Sequence, residues 1–211
     1  MTKKTYYHII LDQSGSMHDC ISQTITGFNK QLQILQSLQE QYPDQEILVG
    51  LTRFNNAVLH TYSAQKPFTI KKLNNRLYVP SGGTALYDAI GQSVSKLQED
   101  IQPEIDGGIA TAVVIILTDG HENSSRVFTH EDIASLIENL EQTGKWTFSY
   151  LGATIDAVQV ARELNIRDEN SMHFSKSKMP ETFIILEESM RWKEEQTSKG
   201  IESQDFLEPK K

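Results

Sequence analysis

Cysteine is almost missing from this chain: Cys20 is the only one in 211 residues. An intrachain disulfide and a cysteine-rich zinc site are therefore both excluded. Long apolar runs are missing too. Nothing approaches the roughly 18 uninterrupted apolar residues of a membrane-spanning helix, and the opening MTKKTYYHIILDQSG has two lysines whose following apolar run stops at Asp12. That opening fits neither a signal peptide nor a membrane anchor, so a cytoplasmic protein is expected. There is no basic cluster to offset a net charge of -8. Nucleic acid is thus unsuited as a main partner, and with no long apolar run no membrane partner is expected. Three enzyme signatures are also incomplete. His121-Glu122 is followed by Ser125 where a zinc protease needs its second histidine, Ser81-Gly82-Gly83 lacks the lysine of a phosphate-binding loop, and Gln13-Ser14-Gly15-Ser16 does not form the G-x-S-x-G turn of a serine hydrolase.

What is present describes one α/β domain. The length suits a single sizeable core, and 38% hydrophobic with 23% charged residues is a globular composition. Tyr6 to Leu11 is a short, almost continuous apolar run, as in a strand buried on both faces of a parallel sheet. Ile21, Ile25, Phe28, Leu32, Leu35 and Leu38 recur at helical spacing, and Tyr42-Pro43-Asp44 ends that helix. Residues 46–54 and 57–62 read as strands joined by a tight turn at Asn55-Asn56, a pair that tolerates positive φ. One antiparallel edge strand is therefore expected.

Lys66 to Pro80 reads as extended, with a turn near Lys72 to Asn75. Thr84 is expected to cap a helix buried through Leu86, Ile90, Val94, Leu97 and Ile101, closed by the Gln102 to Gly108 segment. Thr111 to Thr118 is the most apolar run and the natural central strand. Thr129 with Asp132 opens the next helix, Gly144 closes it, and Trp146 to Leu151 forms a further strand. A short helix over 155–164, an edge strand over 171–174, a helix over 180–195 and a polar, frayed end from Thr197 complete the order. Strands alternating with amphipathic helices predict a doubly wound, mostly parallel six-stranded sheet with helices on both faces. Its ligands belong at the carboxyl ends of the strands.

One such end stands out. Asp12, Ser14 and Ser16 alternate around Gly15, so one bend can aim a carboxylate and two hydroxyls at a common point, a partial oxygen shell for a hard divalent cation. Thr84, after paired glycines, and Asp119, after the most apolar run, are candidates to complete it. The set Asp12-x-Ser14-x-Ser16, Thr84 and Asp119 resembles the metal-ion-dependent adhesion site of von Willebrand factor type A domains. The likeness runs over about the first 150 to 175 residues, which places the domain at 1–178 and leaves a C-terminal helix and polar tail over 179–211.

The resemblance implies a Rossmann-like fold, a bound Mg2+ or Mn2+ held by these five residues, and a non-enzymatic module whose protein partner supplies a Glu or Asp carboxylate. The chain is expected to be a monomer on its own. Bland alternatives stand beside this reading: Asp and Ser are ordinary turn and cap residues, and His18, Asp19, His121, Glu122 and Asp88 are expected to be solvated or structural. The competing enzyme class is a haloacid-dehalogenase-type, magnesium-dependent phosphatase, with Asp12 as nucleophile. That class places a second aspartate where this chain has Ser14, and no lysine precedes the final acidic motif in the required place.

Overall fold

A computed structural model describes residues 2–207. Six strands, β1 (Lys3–Asp12), β2 (Gln45–Phe54), β3 (Val58–Gln65), β4 (Ala110–Thr118), β5 (Trp146–Gly152) and β6 (Ser171–His173), lie in the order β3-β2-β1-β4-β5-β6. All neighbours are parallel except β2 and β3, the expected hairpin pair at one edge. From Thr5 onward β1 is buried at every position, and β4 at all but one. Their apolar continuity follows from this: central strands meet helices on both faces and have no solvent side to reserve for polar residues.

The helices α1 (Ile21–Gln41), α2 (Leu86–Asp106), α3 (His130–Glu141), α4 (Ala157–Glu163) and α5 (Met179–Ser198) divide between those faces. One core joins Tyr7, Ile9 and Leu11 of β1 to Phe28, Leu32 and Leu35 of α1 and to Phe183, Leu186 and Met190 of α5. The other joins Tyr6 and Ile10 to Ile90 and Val94 of α2, Ile133 and Ile137 of α3, and Ala157 and Ala161 of α4. Each fully buried Leu, Ile or Phe in these layers contributes about 1.5–3 kcal/mol. α5 lies so close to α1 that a Cβ added at Gly27 would sit 2.0 Å from Cδ2 of Phe183. Glycine there lets an aromatic ring rest on the helix backbone.

Several expectations are corrected. Thr84 does not cap α2, whose N-cap is Ala85 without a side-chain cap bond. The helix also continues through Pro103 and buries Ile105. The β2–β3 turn forms without left-handed asparagine: the positive-φ residues other than glycine among those described are Ala64 and Asn165, and the Asn55 side chain instead accepts the Ala57 N–H at 3.0 Å. The capping box at Thr129 and Asp132 is as expected. The end from Thr197 is not frayed through residue 207. α5 continues to Ser198, Phe206 and Leu207 are buried, and the Asn170 side chain holds the segment through Gln204 O at 2.6 Å and Phe206 N at 2.6 Å. Residues 208–211 of that expected tail lie outside the described residues.

Candidate metal centre

The strand order reverses between β1 and β4, because the chain runs outward through β2 on one side and through β5 on the other. In the register that pairs Leu11 with Leu117, Asp12 and Thr118 end adjacent strands, so both following loops open on one crevice. Asp12 is fully buried. Its Oδ1 accepts the Ser14 N–H at 2.6 Å and its Oδ2 accepts the Thr118 hydroxyl at 2.6 Å. The first bond folds the loop back as an Asx turn and turns the Ser14 and Ser16 side chains the same way.

From there the oxygens form a chain. Ser14 Oγ and Ser16 Oγ are 3.0 Å apart, and Ser16 Oγ donates to Asp119 Oδ1 at 2.6 Å. The Asp119 carboxylate is fully enclosed, and its Oδ2 has no hydrogen-bond donor among the described residues apart from the ammonium of Lys176, with which it forms an ion pair. Lys176 also donates to the Ser16 carbonyl at 2.7 Å. Burial disfavours this ammonium, but Asp119 beside it outweighs that and holds the amine above its usual range. Asp12 is raised as well: burial lifts it above the ordinary carboxylate range against the pull of the Thr118 and Ser14 bonds, with Asp119 adding a little like-charge repulsion.

Thr84 reaches the same place from the third loop. A Cβ added at Gly120 would lie 3.2 Å from Thr84 Oγ1 and 3.6 Å from Ser16 Oγ, so both hydroxyls face one small volume. The backbone of Thr84 is fixed at both ends by Asn123, whose side-chain oxygen accepts the Thr84 N–H at 2.9 Å and whose own N–H donates to Thr84 O at 3.0 Å. The glycine loop is tied to the Asp12 loop by Gly15 N to Gly82 O at 2.9 Å and Ser81 N to Gln13 O at 2.9 Å. Gly82 has a φ of 73°, a backbone geometry that residues with a Cβ resist.

All five predicted residues therefore converge on the crevice, four of them linked directly by hydrogen bonds. The neighbouring residues divide. Asp88 is structural, its carboxylate accepting the N–H groups of Arg126, Val127 and Phe128, and these outweigh the opposing effect of burial to leave it below its usual range. Glu122 similarly accepts from Tyr87 N, Ser124 N and Ser125 N. His121 lies 3.6 Å from Asp156, and His18 is exposed. Sequence reasoning missed Thr118, Lys176 and Tyr78, whose hydroxyl donates to the Asp12 carbonyl at 2.6 Å. Only Thr118 carried a usable signal, its place at the carboxyl end of the most apolar strand.

The donor chemistry fits a hard ion. Among the described residues no three His, Cys, Asp or Glu side chains cluster as a metal site, so any ion here must use hydroxyls. The hydrogen bonds of 3.0 Å between Ser14 and Ser16 and 2.6 Å between Ser16 and Asp119 keep two hydroxyls and a carboxylate oxygen adjacent, an all-oxygen donor set.

Comparison with known proteins agrees with this architecture. The vWF domain of the type V pili tip protein Mfa5 from Porphyromonas gingivalis superposes with a TM-score of 0.66 at 9% identity, covering 90% of this chain and 96% of that one. Proximal thread matrix protein 1 from the mussel byssus gives 0.58 at 16% identity, with 86% of this chain aligned to 44% of the mussel protein, so this chain spans less than half of that protein's length. The manganese-loaded TRAP protein of Plasmodium vivax gives 0.52 at 16% identity over 86% of this chain and 74% of that one. At such identities the likeness is one of fold. No curated protein matches the chain significantly in sequence. The sequence profile of the von Willebrand factor type A domain matches residues 8–187, and the chain belongs to that family.

Proposed function

We propose that Asp12, Ser14, Ser16, Thr84 and Asp119 hold a divalent cation, Mg2+ or Mn2+, and that the protein is a metal-dependent binding module for a Glu or Asp carboxylate of a protein partner. The supporting observation is the continuous chain of oxygens from Ser14 through Ser16 to Asp119 at the crevice where strand order reverses. In such a site the ion supplies a Lewis-acid position for an external oxygen. The chain's own part is to present three neutral hydroxyls and to keep Asp12 desolvated behind Thr118. Neutral hydroxyls donate little charge to the ion, which stays electrophilic and takes an acidic partner's oxygen into its shell. A single buried cysteine is compatible with a reducing compartment, and we place the module in the cytoplasm.

The phosphatase alternative gains no support from the geometry. That class needs a second aspartate where this chain has Ser14, whose hydroxyl lies 3.0 Å from Ser16 Oγ in the chain of oxygens. Calorimetric titration with Mn2+ tests the binding reading. Wild type is expected to take up one equivalent, Ser16→Ala and Thr84→Ala to bind more weakly, and Asp12→Ala to lose the isotherm. Equal binding by all four proteins would overturn the assignment.

A further inference from the structure

The crevice already contains one cation belonging to the protein. Lys176 comes from the turn between β6 and α5, far from the other loops in sequence, and its ammonium contacts both Asp119 and the Ser16 carbonyl. Its side chain keeps about a third of its exposure, 31%, while the Asp119 carboxylate has none. The lysine therefore closes one side of the crevice and touches solvent on the other.

We propose that Lys176 is a specificity-determining residue that makes the site hold its ion weakly alone and tightly together with a carboxylate. The inference rests on the ion-binding reading above and adds a residue to it. Asp12 and Asp119 by themselves would neutralise a divalent ion completely. With the Lys176 ammonium fixed on Asp119 Oδ2, the protein groups carry one negative charge in total, so a loaded site has an excess of one positive charge. A partner's carboxylate restores neutrality. An amide or hydroxyl offered at the same position leaves the excess in place, so the lysine favours acidic ligands over neutral ones. Because Asp119 Oδ1 faces Ser16 and Oδ2 faces Lys176, the lysine can stay in place when the hydroxyl side of the site is loaded. Charges a few ångströms apart in a partly dry crevice interact strongly enough for one unit to change ion affinity by about tenfold or more.

The test is Mn2+ titration of wild type, Lys176→Gln and Lys176→Arg, with and without acetate as a carboxylate probe. Lys176→Gln is expected to bind Mn2+ about tenfold tighter without acetate and to lose most of the gain that acetate gives wild type. Lys176→Arg retains the charge and is expected to behave as wild type. Thermal unfolding supplies a readout that does not depend on the isotherm. Metal-free Lys176→Gln should melt below wild type, because Asp119 loses its counter-charge, and should gain more from Mn2+. Unchanged Mn2+ affinity and unchanged acetate coupling in Lys176→Gln, while Asp12→Ala still abolishes binding, would overturn the role of the lysine and spare the site. Absence of Mn2+ binding in wild type and both lysine variants would overturn the site and the lysine's role with it.

Discussion

Glu141 closes α3 and turns its carboxyl into the protein, where Oε1 accepts the Phe148 N–H at 3.2 Å. Burial raises its pKa from 4.5 to about 7, against the smaller opposing effects of the Phe148 bond and the charge of Arg167. Between those two pH values the folded chain holds a proton that the unfolded chain has released. Stability from this residue is therefore complete below about pH 4.5 and declines as pH rises through 7. At about 1.36 kcal/mol per pH unit the full interval would amount to about 3.4 kcal/mol, and solvent at a half-buried carboxyl reduces this to about 1–2 kcal/mol. Glu141→Gln keeps an acceptor for Phe148 and cannot ionise. Urea unfolding from pH 4 to pH 8 should show the variant level with wild type at the acid end and about 1–2 kcal/mol more stable at the alkaline end. A stability difference independent of pH, or one that favours wild type increasingly as pH rises, would refute the assignment of a buried, proton-holding carboxyl.

Two further substitutions address packing and the site. Gly27→Ala forces a methyl group into the Phe183 ring and should cost about 1–3 kcal/mol in chemical denaturation, with recovery when Phe183→Leu is added to make room. Thr118→Val leaves Asp12 Oδ2 buried without its hydroxyl donor, which should lower stability by about 1–3 kcal/mol and weaken Mn2+ uptake in the same titration.

How far the sequence revealed this molecule depends on the kind of signal. The strands β1 and β4 and the helices α1, α2 and α3 are written in apolar spacing, because burial on one or two faces imposes a period that survives in a single chain. The site loops were legible for a related reason: a carboxylate and hydroxyls packed into five residues at a strand end stand out against an apolar run. Thr84 reaches the crevice without the local role that its place before a helix suggests. A threonine before a helix reads as a cap, whereas its backbone is held by Asn123 from another loop. Lys176 was invisible because its role depends on one long side chain crossing from a turn with no periodicity of its own. The final segment reads as frayed because the polar composition around it hides two apolar residues, Phe206 and Leu207, and Phe206 is held by partners distant in sequence, Tyr7 and Asn170.

That segment has a bearing on how the molecule is made. Phe206 stacks obliquely against Tyr7, with ring centroids 6.4 Å apart, and Tyr7 also donates to the Glu194 carboxylate at 2.8 Å. β1 thus acquires part of its covering only after nearly all the rest of the domain has followed it in the chain. Until then the Tyr7 ring lacks that cover, and a strand buried from Thr5 onward in the finished fold stays partly open to water and to other chains during synthesis.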